Sequence, residues 1–309
     1  MVPARQKAIR YSAYLAAIGF SLLVVVEVVL RFKGFGDPPL YELDPRIEYY
    51  AKQGSYRRHG NVVRVNAFGM RGNELRARTD QLRMLLIGDS IVFGTYRVGQ
   101  AELISTFLEP ELARLSGRAV EVLNLACSSW GPENQRAYLE RFGTFDADIA
   151  VWVLSSHDAY DVPVPGFAGL LPQHPRMLAL REVYDLYWQK QFQPPPPEGD
   201  PIERSLRASK QVVSLLQVQG IPLVVAHHWS SDELTRGMDP EGVRLDQVFG
   251  ALGVPVFSLK PTLVEAETRG ENPLSDSLHL SPAGARAVGV VIARELVRRR
   301  LHLESKPAN

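Results

Sequence analysis

Two short stretches, far apart in the chain, carry residue types that can do chemistry together. The first is LLIGDSIVFG, residues 85–94, in which an apolar run beginning at Met84 ends on Gly88, Asp89 and Ser90. A serine at the end of a buried strand becomes a nucleophile when a neighbouring base takes its proton. Read alone, the triplet is equally an ordinary turn with a helix-capping serine. The second stretch is SDSLHLSPAGARAVG, residues 275–289. Here Asp276 and His279 stand three apart, just before a helical run that Pro282 opens well. A catalytic histidine needs a partner on one ring nitrogen to fix its tautomer, leaving the other to accept a proton. Ser90, His279 and Asp276 thus supply nucleophile, general base and orienting carboxylate. Singly, Asp276 reads as a turn or cap residue and His279 as a surface histidine. Together with the GDS triplet they point to acyl transfer through a serine. Asp89 is expected to support the serine turn by hydrogen bonding.

The elements that must position these residues are legible as a pattern. Apolar runs recur at MLLIG (84–88), VEVLNLA (120–126), IAVWVLS (149–155), IPLVVAH (221–227) and VPVFSL (254–259). Helix-like stretches lie between and after them, at 100–115, 132–143, 201–218, 240–252 and 281–300. Buried strands alternating with helices predict an α/β fold, a three-layer, doubly wound, flavodoxin-like parallel sheet of about five strands. Functional residues of such sheets collect at the carboxyl ends of the strands, where Ser90 stands. An irregular stretch from about 162 to 200, leading into QFQPPPPEGDP (191–201), interrupts the alternation. Consecutive prolines fit neither a helix nor a central strand, so this insertion reads as a lid, a substrate wall or a plain solvent-facing loop.

The N-terminus has a different character. Tyr11 to Leu30 form a nearly uncharged run long enough to cross a bilayer. Its one charge, Glu27, precedes Arg31 by one helical turn, so the pair can sit near the interface. No small-residue cleavage site follows, which predicts an uncleaved signal anchor over 11–31 after a cytoplasmic tail, 1–10. Basic residues flank the run on both sides (Arg5, Lys7 and Arg10; Arg31, Lys33 and Arg46), and the reading adopted is N-terminus inside, main domain outside. The expected localisation is therefore single-pass membrane with an extracytoplasmic domain, periplasmic in a bacterium. Residues 32–80 read as a juxtamembrane segment packing on the main domain, 81–301 as that domain and 302–309 as a tail.

The combination of GDS at 88–90 with Asp276-x-x-His279 resembles the SGNH (GDSL-type) hydrolase family over roughly residues 82–300. Two more segments carry the resemblance. NLACSSWGPENQ (124–135) offers Gly131 for the family's second block, and VNAFGMRG (65–72) looks like a segment preceding the GDS block in membrane-anchored relatives from glycan-modifying systems. The resemblance implies an esterase or O-acyltransferase acting through an acyl-enzyme on an acylated extracytoplasmic glycan or other ester, with no cofactor and no metal. It also implies an oxyanion hole built from the Ser90 and Gly131 N–H groups and an asparagine side chain. The asparagine is missing: VWVLSSHDAYD (151–161) places His157 there, followed by Asp158. His157 either donates a ring N–H in place of the amide, with Asp158 or Asp161 fixing its tautomer, or is a plain loop residue. One such donor is worth roughly 2.7–4 kcal/mol in the transition state. The alternatives are a degenerate, non-catalytic module that binds glycan or partner proteins, and a lipase or thioesterase.

The remaining signals are weaker. With 35 Lys and Arg against 34 Asp and Glu, a net charge of +1 gives no footprint for nucleic acid. A single cysteine, Cys127, excludes an intrachain disulfide and reads as a small buried residue. His227 and His228 are neighbours on a strand end and point to opposite faces, which disfavours a shared metal ion. Trp130, His228 and Trp229 are candidate substrate contacts, with packing as the alternative. Arg298, Arg299 and Arg300 suit the C-terminal end of a helix.

Overall fold

The structure is a computed structural model and describes residues 4–96, 98–174, 178–192, 195 and 198–299. The tail at 302–309, Arg300, and the prolines at 194, 196 and 197 lie outside the described residues. The chain opens with α1 (Ala4–Phe32), whose segment Ile9–Phe32 has mean hydropathy 2.4 and touches the rest of the protein toward its C-terminal end, at α5. At ~1.5 Å per residue, 24 residues are long enough for a bilayer core of ~30 Å.

Two antiparallel hairpins follow: β1 (Tyr41–Asp44) with β2 (Glu48–Ala51), and β3 (Gly54–Arg58) with β4 (Asn61–Val65). The sequence reading assigned no strands here, because segments this short show too few alternations to register. Their Tyr49, Tyr56 and Val63 join the main core. The Trp130 indole N–H donates to Tyr49 O at 2.9 Å, and the Tyr138 hydroxyl to Phe68 O at 2.6 Å.

The central sheet is parallel and five-stranded. Its strands are β5 (Leu82–Gly88), β6 (Val120–Ala126), β7 (Ile149–Leu154), β8 (Leu223–His227) and β9 (Val256–Ser258), in the order β6-β5-β7-β8-β9. Every residue of β5, β7 and β8 is buried, as expected of strands covered on both faces. Arg83, the one charge in β5, is neutralised by Glu121 on β6 at 2.8 Å. β9 is shorter than the run 254–259 and partly exposed, as an edge strand can be.

The helices form two groups. α3 (Ile104–Ser116), α9 (Lys260–Thr268) and α10 (Pro282–Arg298) pack together, and α4 (Pro132–Phe142), α6 (Pro201–Val218) and α8 (Pro240–Ala251) form the other group. Two further short helices, α2 (Ser90–Phe93) and α7 (Ser231–Arg236), follow strand ends. The expected helix 100–115 begins instead as a 3-10 turn, Gln100–Glu102, because Leu103 takes an extended conformation before α3. The insertion at 162–200 contains α5 (Ala179–Gln191). The chain leaves β5 toward β6 on one side and returns to β7 on the other. This topological switch sets the carboxyl ends of β5 and β7 side by side, where such sheets open a crevice.

Candidate active site

Gly88 ends β5 where a side chain has no room: a Cβ would lie 2.4 Å from Val92 and 3.2 Å from Val153 O. Asp89 then caps α2, its Oδ1 accepting from Ile91 N at 2.8 Å. The cap presents Ser90 at the first position of α2. Gly94 closes the helix in the left-handed region, φ 75°.

Beyond α2 the chain is tied by a residue from the hairpin region. Arg71, fully buried, donates to Phe93 O and Thr95 O at 2.9 Å, to Val98 O at 2.5 Å, and to Gly94 O. Burial lowers its pKa to about 10, which leaves it charged at neutral pH. Asn66 shapes the turn that delivers Arg71, its Oδ1 accepting from Phe68 N and Met70 N at 3.0 Å. The VNAFGMRG segment is therefore a brace under the nucleophile loop. The sequence reading flagged that segment without giving Arg71 a role.

The other half of the site comes from the segment before α10. Ser275 N donates to His279 O at 2.8 Å and Ser281 N to Pro273 O at 2.9 Å, folding the segment back on itself. Gly284 lets it pack on α10, since a Cβ there would meet Pro273 O at 2.0 Å. The result places Ser90 Oγ 3.0 Å from His279 Nε2. His279 Nδ1 stands 2.8 and 3.0 Å from the two Asp276 oxygens. Burial pulls the Asp276 carboxyl upward, but the N–H groups of His279 and Leu278 and the imidazole outweigh it and hold its pKa below the ordinary value. The structure thus brings Ser90, His279 and Asp276 into one chain of hydrogen bonds, able to move a proton from the hydroxyl to the imidazole.

A second cluster lies behind the serine. Asp89 Oδ2 is 3.4 Å from Ser90 Oγ but only 2.8 Å from His157 Nε2, so its closer partner is the histidine. The other nitrogen of His157 contacts Ser155 Oγ, and Asp161 stands 3.5 Å from Nε2. Burial opposes a charge on His157, but Asp158, Asp89 and Asp161 outweigh it and push its pKa up to about 10. Asp89, itself wholly buried, is held below the ordinary carboxylate value chiefly by His157, against the effect of burial. Burial raises Asp161 to about 6 and holds Asp158 well above the ordinary carboxylate value. Asp89, His157, Asp158 and Asp161 bring possible ligand atoms within 4.8 Å of one another. Within this group His157 Nε2 is paired with Asp89 Oδ2 at 2.8 Å.

The expected oxyanion donors are placed unequally. The Ser90 N–H heads α2, where a helix cannot satisfy its own donors. The Gly131 N–H, at the start of α4, donates to Asn134 Oδ1 at 3.1 Å, and the Asp161 carbonyl lies against Gly131 where a Cβ would approach to 1.8 Å. Both His157 nitrogens already have partners. Trp130, His228 and Trp229, expected as candidate substrate contacts, are 1%, 0% and 8% exposed and sit in packing positions. His228 Nε2 lies 2.8 Å from Leu278 O, which steadies the segment bearing His279, and burial lowers its pKa to about 4. His227 pairs with Asp246 at 2.7 Å. Cys127 is buried, and burial pushes its thiol up to about 12.

Two outcomes follow from this geometry. Replacing Arg71 with Met strands buried carbonyls and is expected to cost at least about 2 kcal/mol, read as a lowered unfolding temperature of the full chain in detergent. His157 gains its proton affinity on folding, from an ordinary 6.5 to about 10, so its contribution is complete below pH 6.5 and fades as pH rises through 10. The stability difference between the protein and His157→Gln should therefore shrink from pH 6.5 to pH 10. A difference that grows over this range would contradict a charged His157.

No protein-family model matches the chain, and comparison with curated proteins returns no match. Among solved structures its neighbours include lipases and esterases, some described as lipolytic proteins of the G-D-S-L family. A lipase/acylhydrolase from Enterococcus faecalis is 17% identical, with a TM-score of 0.44, covering 74% of this chain and 98% of its own. The psychrotrophic esterase EstA from Pseudoalteromonas sp. is 12% identical, with a TM-score of 0.47, covering 72% and 100%. A GDSL-like lipase from Bacteroides thetaiotaomicron is 11% identical, with a TM-score of 0.40, covering 71% and 89%. At TM-scores below 0.5, the chemistry assigned to this chain rests on its own residues.

Proposed function

We propose that this chain is a membrane-anchored serine esterase, cleaving or transferring acyl groups of an extracytoplasmic glycan. The observation that carries the reaction class is the 3.0 Å contact between Ser90 Oγ and His279 Nε2, with Asp276 on the other ring nitrogen. His279 takes the hydroxyl proton as Ser90 Oγ attacks the ester carbonyl carbon. The tetrahedral intermediate collapses, and the imidazolium protonates the departing alkoxide, leaving an acyl-Ser90 ester. Water, or a sugar hydroxyl in the transferase version, then attacks with His279 as base, and collapse returns the proton to Ser90. The Ser90 N–H is the first oxyanion donor. The Gly131 N–H becomes the second when it leaves Asn134. His157 acts through Asp89, holding the nucleophile turn with a charge-assisted hydrogen bond. The anchor and the resemblance of residues 65–72 support the glycan assignment.

A non-catalytic module is the second reading, favoured by the prior engagement of the Gly131 N–H and His157 Nε2. The two are separated by p-nitrophenyl acetate hydrolysis with the full chain in detergent. Ser90→Ala and His279→Ala are each expected to lower kcat by roughly 10⁴-fold or more. A rate unchanged in Ser90→Ala would remove the esterase reading. His157→Asn should lower activity and flatten its dependence on alkaline pH. Activity arising only in that variant would instead mark the natural protein as a binding module. An acetylated sugar offered with and without a second sugar separates hydrolysis from transfer.

A further inference from the structure

α5 is oriented unusually for a helix that faces water. Its most buried side chains are Ala179 and Glu182, and Glu182 is gripped by Arg58 at 2.5 Å and by Gly36 N at 2.6 Å. Its outer face carries Tyr184, Tyr187 and Trp188, spaced so that they form one stripe. These side chains are 53%, 58% and 54% exposed, and Trp188 packs edgewise on both tyrosines. A cluster of this kind on a surface marks an interaction site.

α1 fixes where α5 begins. Glu27 Oε1 accepts from Ala179 N and Glu27 Oε2 from Leu180 N, both at 3.0 Å, so α1 caps α5. Arg31 adds a bond to Glu27 at 2.7 Å. Glu27 is five residues short of Phe32, where the apolar segment ends, a rise of about 7–8 Å. A carboxylate at that depth needs partners, and the first N–H groups of α5 provide them. The start of α5 is thereby held near the level at which α1 leaves the apolar layer.

We propose that α5 is an interfacial helix, its Tyr184, Tyr187 and Trp188 face resting in the headgroup layer of the bilayer that α1 crosses. This rests on reading α1 as a membrane span. Tyr and Trp favour that layer, with ring in the apolar part and polar tip in water. Lys190, in the last turn of α5, carries a charge that suits lipid phosphates, while Arg181, 5.5 Å from the Tyr184 ring, is paired with Asp185 at 2.8 Å. The α/β body is then docked on the bilayer at two points and holds a set orientation.

The test uses the full chain in vesicles of phosphatidylcholine and phosphatidylglycerol, with or without phosphatidylcholine brominated high on the acyl chain. The other tryptophans, Trp130, Trp152 and Trp229, are at most 8% exposed and serve as an internal reference. Brominated lipid is expected to quench a component of the emission that Trp188→Phe lacks. Resistance to alkaline carbonate extraction reports separately on α1. Quenching that is the same in Trp188→Phe, with the chain resisting extraction, overturns the interfacial helix and leaves the anchor standing. A chain that carbonate extracts overturns both. Because Trp188 is exposed, its replacement leaves the core intact, and unchanged emission from the buried tryptophans verifies this.

Discussion

The site depends on a buried anion. Asp89 lies at the end of β5 with almost no surface in water, and a carboxylate there is tolerable only with partners. One of its oxygens caps α2 and so sets the position of Ser90. The other holds His157, whose charge it shares with Asp158 and Asp161. The nucleophile turn, the end of β7 and the segment through Asp161 are thereby joined through one side chain. His157 is this anion's partner, and both of its ring nitrogens are engaged, Nε2 by Asp89 and Nδ1 by Ser155.

Much of this organisation was readable in the sequence because it follows from local pattern. Fully buried strands appear as unbroken apolar runs, so the five strands of the sheet stood out. Ser90, Asp276 and His279 announced themselves through spacing and neighbouring turn residues. What the sequence left out was long-range. The hairpins over 41–65 have strands too short to show a period. α5 buries Glu182 and exposes Tyr184, Tyr187 and Trp188, the reverse of the pattern that identifies a surface helix. Arg71 resembles any surface arginine until the carbonyls it serves, more than twenty residues away, are known. The burial of His228 likewise depends on packing that no spacing reveals, whereas the bond from Gly131 N to Asn134 is local, three residues along the chain.

The stretches around the site share a common economy of space. Gly88, Gly131 and Gly284 each stand where a single added carbon would meet an atom of another segment. None of the three is needed for a left-handed turn. Each allows two segments to approach closely enough for side chains on their flanks to meet. The placement of Ser90 against His279 is thus a property of close backbone packing as much as of the two residues.

The separation of Ser90 from His279 by 189 residues has a consequence for how the protein is made. The contact closes a loop that includes nearly the whole α/β body, and contacts of such high order form late in folding. The segment bearing His279 leads into α10, which packs on α3. A nascent or truncated chain that stops before that helix holds its serine without a base. The pairing of Ser90 with His279 is therefore itself a report that the segment before α10 has joined the α/β body.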